Sequence, residues 1–307
     1  MAMEVNFRSD IKSWLDKLEK LEPRPTTFCP NLKTDSPDPI KAVIFDIYGT
    51  LLISASGDID QASLSSENIE TAMQAGGFGP DNCKPDTCTF LLEQLPVKIK
   101  AQQEALKKQG HPYPDVDIFK VWKEMFRAAE EKGMLTLTGA ESWTDSIMVF
   151  ELLSNRVYPM PGMKEILLWI KEKGLPMGIV SNAQFYTPII MNYFLNETFS
   201  GKQEIDLFEK DLTVFSFQEL RAKPDTALFG KFLPTLISKY GIDPKEAIFV
   251  GNDMLKDIVT AKKSGLRTVL FAGDERSLRL REDDERVRRF FPDFIINDLA
   301  QLKDILK

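Results

Sequence analysis

The sequence predicts an α/β fold, in which a parallel β-sheet is covered by helices on both faces and interrupted by a helical insert. Three observations lead to this prediction. Residues 40–46 form a short β-branched and apolar run, which is typical of a fully buried strand. Residues 57–157 carry mainly helical patterns, with few strand-like runs. From residue 158 onwards, short apolar runs alternate with helical patterns, and alternating units of this kind build a parallel sheet.

The individual elements follow from local patterns. Residues 6–21 carry an apolar stripe at helical spacing, which predicts a helix docked on its own domain. Residues 22–39 are rich in Pro, Thr, Asp and Ser, and we expect a linker there. In the insert, apolar residues recur at helical spacing near 91–99 and 118–126. In the second half we predict, in order, helix 162–173, strand 176–180, a helix from 187, strand 212–215, helix 225–239, strand 247–250, helix 255–263, strand 268–271, strand 294–296 and a helix from 298.

The composition limits the classes of partner. The 307 residues carry a net charge of −7, and 43% of them are hydrophobic. Nucleic acids and anionic membranes require a basic footprint, so neither is expected as a partner. The three cysteines are too few for a disulfide framework and fit a reducing compartment. Residues 1–22 are charged without a signal-peptide pattern, and no stretch is apolar enough to span a membrane, so we expect a cytoplasmic protein.

Two further features have structural interpretations. Residues 276–289 contain six arginines interleaved with acidic residues, which predicts a solvated, salt-bridged helix. The single histidine, His111, lies in a proline-rich loop, where a packing or capping role is favoured over substrate contact. Because no Gly-x-Ser-x-Gly motif accompanies this histidine, serine hydrolase chemistry is not expected.

Polar side chains follow four of the predicted strands. Ligands of an open parallel sheet bind beyond the carboxyl ends of its strands, so these positions form the candidate site. Taken singly, an acid, a Ser-Asn pair or a Lys-Pro pair commonly caps a helix or a turn. Together they bring carboxylates, hydroxyls, an amide and an ammonium group to one edge. The candidates are Asp46, Tyr48 and Thr50 after the first strand, Ser181 and Asn182 after the second, Lys223 after the third, and Asn252, Asp253 and Asp257 after the fourth.

Four short motifs carry these residues: F-D-I-Y-G-T-L at 45–51, V-S-N at 180–182, K-P-D at 223–225 and V-G-N-D-M-L-K-D at 250–257. In type and order they resemble the four motifs of the haloacid dehalogenase (HAD) superfamily of hydrolases. The resemblance implies a Rossmann-like, three-layer α/β/α core at 40–56 and 158–307. It also implies that residues 57–157 are a helical cap inserted after the first motif. Residues 1–39 lie outside the resemblance, as an N-terminal helical extension and linker.

The resemblance implies a role for each position. Asp46 matches the nucleophile that forms a covalent aspartyl intermediate, which splits one hard displacement into two easier ones. Lys223 matches the cation that neutralises the nucleophile and the developing charge. Three further residues match the groups that hold the substrate anion or orient the nucleophile: Thr50, Ser181 and Asn182. The expected substrate is a small anionic molecule.

The resemblance also implies a Mg²⁺ site, as in the metal-using members of the family. Its ligands come from Asp46, the backbone carbonyl at Tyr48, and the acidic fourth motif, with Asp257 and either Asn252 or Asp253. Oxygen ligands of this kind suit Mg²⁺. Asn252 stands where the first acid of the fourth motif is expected, so one ligand charge is missing there, although the adjacent Asp253 can take its place.

Tyr48 departs from the pattern of the family's phosphatases. These carry a second Asp two residues after the nucleophile, which protonates the leaving oxygen and then activates water. A tyrosine there resembles the dehalogenase branch, in which a halide leaves without a proton and Lys223 can neutralise charge without a metal. That branch places an arginine in the cap to receive the halide. No arginine occurs from Leu51 to Phe126, and the first is Arg127.

The sequence leaves three functions open. The surplus of acids beside Asp46 favours Mg²⁺-dependent hydrolysis of a phosphate ester or an acyl phosphate through a covalent aspartyl intermediate. The second alternative is metal-independent hydrolysis of a carbon–halogen bond, as in 2-haloacid dehalogenases. The third is a non-catalytic binding protein on the same scaffold, which Tyr48 and Asn252 motivate. A scaffold alone has no physical need to gather a buried acid and a buried lysine, so an enzyme is favoured.

Overall fold

The computed structural model describes residues 5–8, 10–32, 39–55 and 65–306. No helix within these ranges is long and apolar enough to cross a lipid bilayer. The helices and strands are, in chain order, α1 (Ile11–Asp16), β1 (Ala42–Phe45), β2 (Leu52–Ser54), α2 (Ser66–Ala75), α3 (Thr87–Lys108), α4 (Ile118–Glu131), α5 (Trp143–Ser154), β3 (Val157–Pro159), α6 (Met163–Glu172), β4 (Met177–Ser181), α7 (Tyr186–Asn196), β5 (Thr213–Phe215), α8 (Ser216–Glu219), α9 (Phe229–Ser238), β6 (Ala247–Gly251), α10 (Thr260–Lys263), β7 (Arg267–Phe271), β8 (Phe294–Ile296) and α11 (Leu302–Ile305).

Within the described ranges, six strands form one parallel sheet in the order β5–β4–β1–β6–β7–β8. Strand β1 lies inside the sheet, with Val43 opposite Met177 of β4 and Phe45 opposite Val250 of β6. All four residues of β1 are buried, as the apolar run at 40–46 predicted. Because the strands are parallel, the carboxyl ends of β1, β4, β5 and β6 lie at the same edge.

Helices cover both faces of this sheet. Successive side chains of a strand point to opposite faces, and β1 divides accordingly. Val43 and Phe45 join one hydrophobic core, which also contains side chains of α6 and α7. Ala42 and Ile44 join a second core, which contains the α9 residues Phe229, Phe232 and Leu236. The predicted three-layer α/β/α fold is therefore confirmed.

Helices α2 to α5, called the insert below, lie between β2 and β3. These two strands pair antiparallel, with Ser54 opposite Val157, so the chain leaves the core and returns at one place. Inside the insert, α2 packs against α5 and α3 packs against α4. The rings of Trp122 and Phe150 meet edge to face with centroids 5.0 Å apart. The short strands at the base of the insert were not predicted, and residues 56–64 lie outside the described ranges.

The N-terminal helix is shorter than the stripe at 6–21 predicted. Helix α1 spans Ile11–Asp16, and the carboxylate of Asp10 caps it by accepting from the backbone N–H of Ser13. Ile11 and Leu15 are buried. The helix contacts α5, so it docks on the insert of its own chain.

The segment predicted as a linker packs on the core where the structure describes it. The backbone N–H of Arg24 donates to the carboxylate of Asp274 at 2.8 Å, and the hydroxyl of Thr26 donates to the carbonyl of Ala272 at 2.5 Å. Further on, Asn31 forms an antiparallel bridge with Ile295. Residues 33–38 of this segment lie outside the described ranges.

The helix predicted for residues 276–289 is wrong, because this segment consists of turns and irregular chain. Arg281 has a φ of 57°, in the left-handed region, which interrupts any right-handed helix. The charged side chains form ion pairs that do not have helical spacing. Arg286 contacts Asp284, two residues away, and Arg281 contacts Asp253 from the fourth motif. Charge alternation alone does not separate such a segment from an exposed helix.

Candidate active site

The strand-end residues predicted from the sequence meet at the carboxyl edge of the sheet. Asp46 follows β1 directly, and its backbone N–H donates to the carbonyl of Val250 at 2.9 Å. This bond extends the pairing of β1 with β6 by one residue. Asp46 is 7% exposed, so the strand delivers a largely buried carboxylate to this edge.

Lys223 connects two of these carboxylates. Its Nζ lies 2.7 Å from Oδ1 of Asp46 and 2.6 Å from Oδ1 of Asp257. The lysine is 3% exposed. Burial opposes its charge, but the carboxylates of Asp257 and Asp46 outweigh that cost and raise the pKa of Lys223 above its ordinary value. The ammonium group therefore stays charged between the two acids.

Asn182 fixes the backbone at Lys223. The backbone N–H of Lys223 donates to Oδ1 of Asn182 at 2.7 Å, and Nδ2 of Asn182 donates to the carbonyl of Lys223 at 3.4 Å. These two bonds tie the segment after β4 to the segment after β5. Asn182 thereby orients the lysine, and it also lines a small cavity next to Asp46.

The carboxylate of Asp46 is held through one oxygen. Oδ1 accepts from Oγ of Ser181 at 2.8 Å and from Nζ of Lys223 at 2.7 Å. Among the residues that the structure describes, none donates a hydrogen bond to Oδ2. Asp46 lines the small cavity. A carboxylate that is oriented by one oxygen and unbound at the other is suited to nucleophilic attack.

Asp257 is held from the other side by the backbone. Its Oδ2 accepts from the N–H of Asn252 at 3.0 Å and from the N–H of Asp253 at 2.9 Å. Burial raises the pKa of Asp257 to about 7, although the charge of Lys223 acts to lower it. Asp257 therefore anchors Lys223 at the turn that follows β6.

The backbone at Gly251 passes very close to the side chain of Asp257. A Cβ added at Gly251 would lie 2.5 Å from the carboxylate of Asp257, so only glycine fits there. The predicted helix at 255–263 begins as a π-helical turn over Met254–Val259 and continues as α10. Wide turns of this type occur most often at functional sites.

Thr50 contacts Asn252 rather than Asp46. Oγ1 of Thr50 donates to Oδ1 of Asn252 at 3.2 Å, and Nδ2 of Asn252 donates to the carbonyl of Ser277 at 2.6 Å. A Cβ at Gly49, whose φ is 81°, would lie 2.5 Å from the amide of Asn252. Ser277 was not found from the sequence, because it lies in the segment predicted as a solvated helix.

The carboxylate of Asp253 is held by backbone N–H groups and by an arginine. Its carboxylate accepts from the backbone N–H groups of Leu255 and Lys256 at 2.8 and 2.9 Å, and it pairs with Nη2 of Arg281 at 2.6 Å. The acid thus caps the turn and is neutralised by an arginine that the sequence did not indicate. Asp253 also lines the small cavity next to Asp46, so it stays a candidate metal ligand beside Asn252.

The phenol of Tyr48 is engaged away from Asp46. Its hydroxyl shares a hydrogen bond of 2.7 Å with Oγ1 of Thr187. Burial raises the pKa of Tyr48 above its ordinary value, so the phenol stays protonated at neutral pH. Thr187 also accepts from the backbone N–H of Gln184 at 3.2 Å. Tyr48 therefore cannot act as the general base that an aspartate provides at this position.

The oxygen atoms around the small cavity match the chemistry of Mg²⁺. The cavity has a volume of about 30 Å³, enough for one ion or water molecule, and it is lined by Asp46, Tyr48, Asn252 and Asp257 among others. No group of three or more His, Cys, Asp or Glu side chains in the described part of the chain is arranged to bind a metal. The residues that line the cavity nevertheless include Asp46, Tyr48, Asn252, Asp253 and Asp257, which carry oxygen atoms of the kind that bind Mg²⁺.

Comparison with known proteins identifies the family of this chain. Residues 40–265 match the family model described as haloacid dehalogenase-like hydrolase. The chain is 30% identical over 232 residues to a phosphoglycolate phosphatase from Haemophilus influenzae, covering 70% of this chain and 93% of that protein. It is 28% identical over 149 residues to a glyceraldehyde 3-phosphate phosphatase from Pyrococcus furiosus, covering 48% of this chain. In that comparison the chain spans about half of the relative's length, 54%.

A solved structure shows the same fold. The 2-haloacid dehalogenase from Pseudomonas syringae pv. Tomato superposes with a TM-score of 0.53 at 21% identity, covering 87% of this chain and 98% of that one. The family model thus covers the chain from the start of β1 through the insert to the end of α10, and the solved structure shares the fold. The chain belongs to the haloacid dehalogenase-like hydrolases.

Proposed function

We propose that this hydrolase acts on phosphate esters or acyl phosphates of small molecules, through a covalent intermediate on Asp46 and with Mg²⁺. The observation that carries the proposal is the state of the Asp46 carboxylate. Ser181 and Lys223 hold Oδ1, whereas no described residue donates to Oδ2. A substrate phosphorus atom that approaches this carboxylate meets an oriented and electrostatically supported nucleophile.

In the proposed reaction, Oδ2 of Asp46 attacks phosphorus and the bond to the leaving oxygen breaks. Water then attacks the aspartyl phosphate and releases inorganic phosphate, which regenerates Asp46. Lys223 stabilises the negative charge of the nucleophile and of the transferring group, because its ammonium lies 2.7 Å from Oδ1 of Asp46. Ser181 maintains the orientation of the carboxylate between the two steps.

The balance of charges supports a divalent cation. Asp46 and Asp257 are opposed by one ammonium group at Lys223, and Asp253 is neutralised by Arg281. Adding a phosphate dianion leaves a net negative charge, even with the cations of Lys256 and Arg279, which line the same cavity. When bound, Mg²⁺ supplies positive charge beside the phosphoryl oxygens. The Asp46 carboxylate, the Tyr48 carbonyl and a side-chain oxygen of Asn252 or Asp253 would hold it.

The tyrosine restricts the leaving group. Tyr48 occupies the position of the missing aspartate, and its hydroxyl is bound to Thr187. A leaving group that departs as a stable anion needs no proton from the enzyme. Acyl phosphates and esters of acidic alcohols meet this requirement, and we expect them to be better substrates than simple alkyl phosphates.

Carbon–halogen hydrolysis is the second candidate, because a halide also leaves without a proton. The direct contact between Lys223 and Asp46 would neutralise charge in the absence of a metal. A halide needs a receptor, however, and the one arginine of the insert helices, Arg127, lines neither of the cavities next to the site, whereas Arg279, which lines the small cavity, belongs to the core. A non-catalytic role is disfavoured, because burying two acids and a lysine lowers the stability of the fold. Such a cluster is therefore expected where its groups bind a ligand or take part in catalysis.

The test measures phosphate release from acetyl phosphate, p-nitrophenyl phosphate, phosphoglycolate and glyceraldehyde 3-phosphate, with and without Mg²⁺. We expect Mg²⁺-dependent release that falls more than about a thousandfold in Asp46→Asn, with circular dichroism unchanged. Asp81→Asn, at an exposed aspartate, is the matched control. If Asp46→Asn retains activity, the nucleophile is wrongly assigned. If the wild type releases halide from 2-haloacids and no phosphate, the second candidate replaces the first.

A further inference from the structure

A second, larger cavity of about 640 Å³ lies between the insert and the core. Cavities of about 300–1,000 Å³ are those that hold ligands of drug size. The larger cavity shares Asn182, Lys223 and Lys256 with the small cavity next to Asp46. A substrate held at Asp46 by its phosphoryl group can therefore extend its remaining atoms into this space.

The insert side of the larger cavity is mainly apolar. Leu95 and Ile99 come from α3, Phe150 comes from α5, and Val116 and Ile118 come from the start of α4. Covering such surface with an apolar ligand group removes it from water, which favours binding in proportion to the area covered. A two-carbon or three-carbon group would leave most of this wall uncovered.

Two acidic side chains disfavour a second negative charge in this cavity. Glu151 and Asp115 both line it. Glu151 is buried and accepts from Nε1 of Trp122 at 3.0 Å, and burial raises its pKa to about 7. A ligand carboxylate would meet the same desolvation cost and the repulsion of Asp115. Three lysines also line this cavity: Lys223 and Lys256 lie at the end shared with the small cavity, where the phosphoryl group would bind, and Lys107 is exposed to water, which screens its charge.

We propose that the natural substrate is a phosphate ester whose leaving group is bulky, mainly apolar and uncharged, and occupies the cavity between the insert and the core. The inference rests on the proposed phosphatase function and names its substrate class. It differs from the substrates in the names of the relatives, phosphoglycolate and glyceraldehyde 3-phosphate, whose organic parts are small and, in the first, anionic. Ile99, which is partly exposed on α3, supplies apolar contact from the insert side.

The experiment compares three aryl phosphates whose phenols have similar acidity: phenyl phosphate, biphenyl-4-yl phosphate and its 4′-carboxylate. We expect kcat/KM to be about tenfold or more higher for biphenyl-4-yl phosphate than for phenyl phosphate, and to fall about tenfold again when the carboxylate is added. Equal values for the first two esters, or a preference for the carboxylate, overturn the inference.

A pair of substitutions on one helix locates the effect. Ile99→Trp places an indole in the cavity, and we expect the ratio of kcat/KM between biphenyl-4-yl and phenyl phosphate to fall to about one. Val97→Trp, on the exposed side of α3, is the control and leaves the ratio at its wild-type value. An unchanged ratio in Ile99→Trp means that the biphenyl group binds elsewhere, which overturns the inference.

Failure of the inference and failure of the proposed function give different results. If acetyl phosphate and phenyl phosphate release phosphate but the biphenyl ester is no better, the phosphatase function stands and the substrate class is wrong. If no ester or acyl phosphate releases phosphate, both are wrong. Binding of biphenyl-4-yl phosphate to Asp46→Asn, measured by titration calorimetry, checks the cavity without turnover and should be at least about tenfold tighter than binding of phenyl phosphate.

Discussion

Asp46 and Lys223 are 177 positions apart in the chain, and their side chains meet with Oδ1 and Nζ 2.7 Å apart. The strand order explains the meeting, because β1 and β5 lie on either side of β4 in the sheet. The same ammonium group contacts Asp257, which follows β6 on the other side of β1. One lysine thus connects the chain segments that follow three strands, so we expect both activity and stability to depend on it.

Replacing Lys223 by alanine should abolish turnover and destabilise the protein by about 3–5 kcal/mol, since it leaves two carboxylates buried without a counter-charge. Urea denaturation measures the free energy of unfolding. Lys231→Ala is the control, because it removes an exposed ion pair with Glu219 and should have a much smaller effect. A Lys223→Ala protein as stable as the wild type would contradict the buried ion-pair network.

Gly251→Ala tests the close approach of the chain to Asp257. The new Cβ would lie 2.5 Å from the carboxylate of Asp257, so we expect a loss of activity and a destabilisation of about 1–3 kcal/mol. Gly230→Ala is the matched control, because nothing lies within 4 Å of its Cβ position on α9. The control should be neutral or stabilising by about 0.5–1 kcal/mol. If the two variants had the same activity and the same free energy of unfolding, the steric explanation would be ruled out.

Glu151 makes stability depend on pH. Burial raises its pKa from 4.5 in the unfolded chain to about 7, so the folded state binds more protons between these values. The stabilising contribution of the protonated acid is present below pH 4.5 and is lost as the pH rises through 7. Glu151→Gln removes this loss. We expect the stability of the variant relative to the wild type to increase by about 2 kcal/mol between pH 5.5 and pH 8.

Glu141→Gln is the control for that pH series. Hydrogen bonds from Thr138 and neighbouring groups lower the pKa of Glu141 to about 2. Its contribution is therefore present above pH 4.5 and is lost only as the pH falls towards 2. Between pH 5.5 and pH 8 the effect of this substitution should not change with pH. A constant difference for Glu151→Gln over the same range would show that Glu151 is ionised in the folded state throughout.

The N-terminal segment should contribute to stability as part of the core. Leu15 of α1 is 1% exposed, and Leu15→Ala should destabilise by about 2–5 kcal/mol because it leaves a cavity. Leu168→Ala, at a leucine that is 42% exposed on α6, should change the free energy of unfolding by less than about 0.5 kcal/mol. Similar values for the two variants would mean that α1 does not pack as described.

Several site residues were predicted because each follows a strand whose apolar run is visible in the sequence. Asp46, Ser181 and Asp257 were found in this way, and the structure brings all three to Lys223 or to each other. Ser277 and Arg281 were missed, because they lie in irregular chain that has no periodicity to recognise. Their partners, Asn252 and Asp253, are 25 and 28 residues away, so no local pattern connects them.

The sequence by itself determined the class of fold and the chemistry available at the sheet edge, because hydrophobic periodicity and the residue at the end of each strand are local properties. Tertiary structure decided the rest. Packing selected which oxygen of Asp46 is occupied, turned Asp253 towards Arg281 and directed Thr50 to Asn252. The size of the cavity between the insert and the core was also decided there, since it depends on how the insert and the core pack against each other.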